Sequence, residues 1–124
     1  MKKEEYQGVN NIDDVCEKLK QISSSEPEVA QAIIMTIDHI HGTYSDKYAK
    51  GMKKGIDTKQ MLYDPEVGGA INVYQISRYL QRYVTTGSRK SGLVKDLLKM
   101  IHYTIFEIVR RIKANDINLE EPKE

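Results

Sequence analysis

The sequence predicts an all-α protein, a small helical bundle that ends in an antiparallel hairpin of its last two helices. Three observations predict it. Apolar residues recur at spacings of three and four in four separate stretches, the period of a helix with one apolar face. Asparagine, serine, proline and glycine stand at the edges of those stretches, where caps and stops belong. No stretch carries a strand signal of comparable quality, although threonine and isoleucine in the middle leave short β pieces as the alternative there.

The first helix is expected over 12–22, where Val15, Leu19 and Ile22 share a face and Asn11 is the N-cap. The second is announced by Ser25-Glu26-Pro27-Glu28, read as a cap serine, a first-turn proline and a capping-box glutamate. Val29, Ile33, Ile37 and Ile40 form its apolar stripe, and Gly42 its stop. The pattern then breaks over 43–69, a lysine-rich segment punctuated by Gly51, Gly55, Pro65, Gly68 and Gly69, with a short helix expected at 45–50. A connection this long is more often functional or mobile than inert, so it reads as a lid over a site or as a loop. Periodicity returns at Ala70, with Val73, Ile76, Leu80 and Tyr83 at i, i+3, i+7 and i+10 and an end near Val84. After the turn TTGSRKSG the longest helix spans 93–113, with Leu93, Leu97, Ile101, Ile105, Ile108 and Ile112 inward.

The chain, 1–124, fits a single helical domain with its core over about 12–113 and an acidic tail over 114–124. Hydrophobic residues at 40% and charged residues at 30% place it among globular, not disordered, chains. Cys16 has no second cysteine to pair with, and no apolar run approaches the ~20 residues of a membrane span. A cytoplasmic location without membrane contact is the expectation, in the host cytoplasm if the protein is viral. The net charge is only +1, but lysines and arginines concentrate between Lys47 and Lys99. A basic surface of that kind suits a phosphate-bearing ligand and equally forms an ordinary solvated helix face.

The hairpin carries the residues with chemistry to offer. Asn72, Gln75, Arg78, Tyr79 and Arg82 fall on one stripe of the third helix; Asp96, Lys99, Tyr103, Glu107 and Arg110 do so on the fourth. Arginine and lysine take phosphate, tyrosine stacks on a base, and a carboxylate orients a metal or a hydroxyl. The competing reading is an ion-pair network, with Arg82 and Asp96 paired across the hairpin. Gly87 to Ser91 precedes a helix and reads as a solvated turn, with anion binding as the sharper alternative. Asp38, His39, His41 and Asp46 offer metal-ligand types, but two histidines two residues apart point to different helix faces, so they are read as a helix cap and surface histidines. Cys16, on the face of Ile12 and Leu19, is expected in the core. His102 has no serine or cysteine partner that would make a catalytic triad.

The segments YQISRYLQRY and KDLLKMIHY, joined by a polar glycine-containing turn, resemble the core of the SaV-like phage family, which includes nucleotide kinases. The matching positions are Arg78, Tyr79, Leu80, Arg82 and Tyr83, then Asp96, Leu97, Lys99 and Tyr103, about a third of the chain. The resemblance implies a phage-type nucleotide-binding protein in nucleotide metabolism. Gln75, Arg78, Tyr79, Arg82, Lys99 and Tyr103 would bind the ligand, Asp96 would be the catalytic group, and Mg2+ would accompany phosphotransfer. His41 to Asp46 followed by the hairpin also resembles degenerate MazG-like pyrophosphohydrolases. The paired acids with which those enzymes hold magnesium have no counterpart on the second to fourth helices, so no protein metal ligands are assigned. Whether the protein is an enzyme stays open at this point. The alternative is a non-enzymatic interaction protein that binds nucleic acid or a host factor, or sequesters a nucleotide signal. A homo-oligomer is expected in every case, because so short a bundle completes its core by packing apolar hairpin faces together.

Overall fold

The computed structural model describes residues 4–6, 11–43, 58–85 and 93–119. Among them are five helices: α1 Ile12–Ser25, α2 Pro27–Thr43, α3 Thr58–Tyr63, α4 Gly68–Thr85 and α5 Leu93–Lys113. The described residues are all-α apart from one short strand pair, 4–6 with 117–119. Among the described residues no helix is long and apolar enough to cross a membrane. The helix expected at 45–50 and the turn at 87–91 lie outside the described residues.

Helix α1 begins as expected. Asn11 is extended and its Oδ1 accepts the Asp14 N–H at 2.9 Å. The helix runs three residues past Ile22, however, and the expected capping box does not form. The Ser25 hydroxyl turns back to the carbonyls of Gln21 and Ile22 (3.3 and 3.4 Å), and Ser24 does the same to Lys20 (3.2 Å). Serine hydroxyls spent on the preceding turn are not available to cap the next one. Glu26 is the joint instead. Its N–H donates to Ile22 O, closing α1, while its carbonyl accepts from Val29 and Ala30, opening α2. Pro27 then occupies the first helical position, where a missing N–H costs nothing. Gly42 does not stop α2; the helix continues through Thr43, whose hydroxyl donates to His39 O at 2.8 Å.

A cap that the periodicity did not reveal introduces α4. Asp64 Oδ1 accepts from the N–H groups of Glu66 and Val67 at 2.8 and 3.1 Å, with Pro65 next to it. These bonds, Val67 first, hold the Asp64 carboxyl below its usual range. Gly68 must be glycine, because a Cβ there would collide with the Leu62 carbonyl and come within 2.9 Å of the Arg110 stem. That close approach seats α3 against α4 and α5.

Helix α5 has the expected bounds and ends in a left-handed residue, Asn115 at φ 65°. Asp116 N–H reaches Arg111 O at 2.9 Å and Asn115 N–H reaches Ile112 O at 3.0 Å, a Schellman turn around an asparagine. The turn sends the chain into β2 (Ile117–Leu119), which pairs in parallel with β1 (Glu4–Tyr6), Glu4 opposite Ile117. Arg111 pairs with the Glu4 carboxylate beside the ladder.

The hairpin of α4 and α5 is antiparallel, and it is the main contact of the molecule; α1 packs on α2, and α2 and α3 on α5. Its packing reverses the expected orientation. Buried among the described residues are Ala30, Leu62, Tyr79 and Phe106, together with the polar Asn72, Asp96 and His102. The apolar residues of the periodic faces, including Val15, Val29, Ile33, Ile37, Val73 and Leu80, are exposed, as are Leu97, Ile101, Ile108 and Ile112, expected inward. Leu19, Ile22, Ile40, Ile76, Tyr83 and Ile105 are half-buried, and the side chain of Leu93 lies outside the described set. Cys16 is likewise exposed and not in the core, because α1 has no buried residue. The reason is geometric. The stripes of the hairpin that face each other are the polar ones, and their long side chains fill the seam with paired heads and aliphatic stems.

Candidate functional site

Three contacts fix the register of the seam: Asn72 meets Glu107, Tyr79 meets Tyr103, and Arg82 meets Asp96. The two polar stripes therefore face each other along their whole length and divide into two clusters.

At the α4 C-terminal end the group is built around Tyr79, which is buried at 9% exposure. Arg78 and Arg82 place their guanidinium carbons 5.6 and 5.7 Å from its ring centroid, and Lys99 its ammonium at 5.1 Å. The electron-rich ring face attracts each cation. The Tyr103 ring stacks with Tyr79, centroids 6.1 Å apart and planes 22° from parallel, and meets Phe106 edge-on. Asp96 is buried in the first turn of α5, where a helix N-terminus favours a carboxylate, and its Oδ1 lies 3.7 Å from Arg82 Nη2. The Arg82 side chain is half exposed and Arg78 faces solvent. Arg78, Tyr79, Arg82, Asp96, Lys99 and Tyr103 are thus brought together. Gln75 sits one turn before Tyr79, half-buried, its Oε1 enclosed and without a hydrogen-bond partner among the described residues. The Tyr79 ring thus has three cations and the Tyr103 ring within about 6 Å of its centroid.

At the α4 N-terminal end the seam is a clamp. Arg110 holds Glu107 with two bonds, Nε to Oε1 at 2.8 Å and Nη2 to Oε2 at 2.7 Å. Asn72, fully buried, donates to Leu62 O at 3.0 Å and to Glu107 Oε1 at 3.2 Å. The Arg110 bonds hold the Glu107 carboxyl below its usual range against the opposing effect of burial, with Asn72 assisting. Gly68 and Gly69 let the guanidinium stem lie across the start of α4. Periodicity placed these residues on the stripe without separating their work from that of Arg82 and Asp96. The usable signal was Glu107-x-x-Arg110, an ion-pair spacing on one helix opposite two glycines.

His102 forms a third buried group. Its Nδ1 is 3.3 Å from Thr43 Oγ1, its ring stacks on Phe106 at 4.3 Å, and His39 meets it edge-on at 5.5 Å. The Thr43 hydroxyl also donates to His39 O at 2.8 Å. Burial, then the His39 charge, depress the His102 pKa to about 4. His39 packs on His102 while His41 and Asp38 are exposed, and Asp46 lies outside the described residues. Among the described residues no three histidine, cysteine, aspartate or glutamate side chains converge on a point where a metal would be held.

Fold and site define a small all-α protein whose helical hairpin gathers cations around a buried tyrosine. Compared with known proteins, the chain matches no family model, no curated protein and no solved structure.

Proposed function

We propose that the chain is a phage-type nucleotide-binding protein of nucleotide metabolism that holds its ligand's phosphates at Arg78, Arg82 and Lys99. The observation that carries this reading is the gathering of those three side chains within 6 Å of the Tyr79 ring, with Arg78 and Arg82 open to solvent. Guanidinium groups suit phosphate because their planar donor forks match its oxygens. Gln75, one turn along, would meet the sugar or base through its amide nitrogen, and magnesium would arrive with the phosphates. In a phosphotransfer reaction Asp96 would orient the accepting hydroxyl. The contact between Asp96 and Arg82 favours a second reading, in which the nucleotide is held and sequestered without turnover. The partners proposed are a nucleotide and further copies of this chain.

A thermal-shift titration with nucleoside mono- and triphosphates and cyclic nucleotides, with and without magnesium, tests the site. A nucleotide-dependent rise in Tm that Arg78→Ala weakens is the expected result, and no rise with any nucleotide overturns it. Chromatography of the mixture separates the two readings: new nucleotide products mean turnover, and unchanged nucleotide means sequestration. A shift produced by DNA alone, falling steeply as salt rises, would instead identify a nucleic-acid binder.

A further inference from the structure

The outward surface of the α4–α5 hairpin is apolar and open. Along α5 the residues Val94, Leu97, Ile101, Ile108 and Ile112 are exposed, and along α4 so are Val73, Leu80 and Val84. Steps of three, four and seven residues, over about 27 Å of α5, are the spacing of a helix-packing seam. These eight side chains are each 37–68% exposed, which leaves roughly several hundred Å² in water, against the ~300–600 Å² of the largest patch on a typical monomer. A stable dimer buries about 800 Å² per partner, a size this face approaches once its polar rim is included.

The stripe on α5 also reads alike in both directions. Val94 and Ile112, half-buried Leu98 and exposed Ile108, and exposed Ile101 and half-buried Ile105 are pairs equidistant from position 103. Two antiparallel copies of α5 related by a two-fold axis at that level would set an apolar residue against an apolar residue at each step. An unrelated partner helix would have to reproduce both the length and the spacing, which a second copy supplies automatically. The net charge of +1 leaves little repulsion between copies.

We propose that this face binds a second copy of the chain, α5 against α5 in antiparallel orientation, forming an isologous dimer. The polar seam of each hairpin faces the other way, so the contact does not depend on the nucleotide reading. Light scattering of the full chain over a wide concentration range tests it without ligand. The expected mass is twice 14.3 kDa. The double substitution Ile101→Glu with Ile108→Glu, both at exposed positions, is expected to halve that mass while leaving the helical circular dichroism unchanged. A monomer at all concentrations overturns the proposal and gives the face to an unrelated protein; a dimer that survives both glutamates overturns the choice of face. Orientation is tested separately in a Cys16→Ser background by mixing Val94→Cys and Ile112→Cys chains with a short thiol crosslinker. Bridges from position 94 to position 112 are expected, and a predominance of 94-to-94 bridges overturns the antiparallel arrangement.

Discussion

The two ends of the hairpin seam use the same residue types for different purposes. At one end Glu107 and Arg110 meet through two short bonds, with side chains only 24% and 15% exposed, and Asn72 is drawn into the same carboxylate. At the other, Arg82 stands 3.7 Å from Asp96 and reaches into solvent, among cations that share one tyrosine ring. The clamp has two short bonds within α5 that fix the Glu107 carboxylate, and one from Asn72 at 3.2 Å that ties it to α4. The cation group instead surrounds one ring at 5.1–5.7 Å, with Arg78 and Arg82 exposed to solvent. Arginine and carboxylate in a seam are therefore not a signature of either role; bond length, dentate number and exposure separate them.

The largest expected effect comes from breaking the clamp. Glu107→Leu leaves Arg110 and Asn72 without their shared acceptor and should lower stability by about 2–4 kcal/mol, read as a lower urea midpoint. If the midpoint does not move, the clamp is not what holds the hairpin together. Gly68→Ala attacks the same end from the backbone side. Its Cβ meets the Leu62 carbonyl, and an overpacking cost of about 1–3 kcal/mol is expected.

Acid should act on the seam in two stages. His102 is held neutral in the fold, its pKa depressed from 6.5 to about 4. The unfolded chain then binds more protons between those values. Stability is complete above about pH 6.5 and falls as the pH drops towards 4, by on the order of 1–3 kcal/mol. Glu107, also depressed, contributes stability above its unfolded value of 4.5 that is lost as the pH falls further. Urea midpoints measured against pH in His102→Gln should lose the upper stage and keep the lower one. The smallest effect on stability belongs to the open end. Arg78→Ala should change it by less than about 0.5 kcal/mol yet weaken any phosphate-dependent Tm shift. A variant that unfolds readily but binds normally would reverse the contrast between the two ends.

The last two helices could be read from the residues, since α5 follows its apolar spacing from end to end and α4 is displaced by only two residues at its start; α3, at six residues, is too short to show a period and falls in the stretch 43–69 where the pattern breaks. Spacing reports that a helix has an apolar face; it does not report which neighbour that face meets. With the polar stripes of α4 and α5 turned to each other, Val73, Leu80, Ile101 and Ile108 are left outside. Candidate site residues were legible for a related reason, because spacing on a stripe sets neighbours wherever the stripe points. The division of the stripe into clamp and cation group was not, since it depends on cross-helix distances. Local chemistry explains the remaining differences. Ser25 has carbonyls of its own helix within reach, Asp64 needs only two adjacent N–H groups, and the three-residue strands are too short to show a period.

The strand pair at the chain ends bears on the order of folding. Glu4 and Ile117 are held side by side although nearly the whole sequence lies between them. Closing so long a loop for a few hydrogen bonds is favourable only after the helices have shortened the path. The ladder should accordingly zip up last and open first. The Glu4 amide, bonded to Asp116 O at 3.0 Å, should exchange with solvent deuterium through local fraying, well before the amides at the centre of α5.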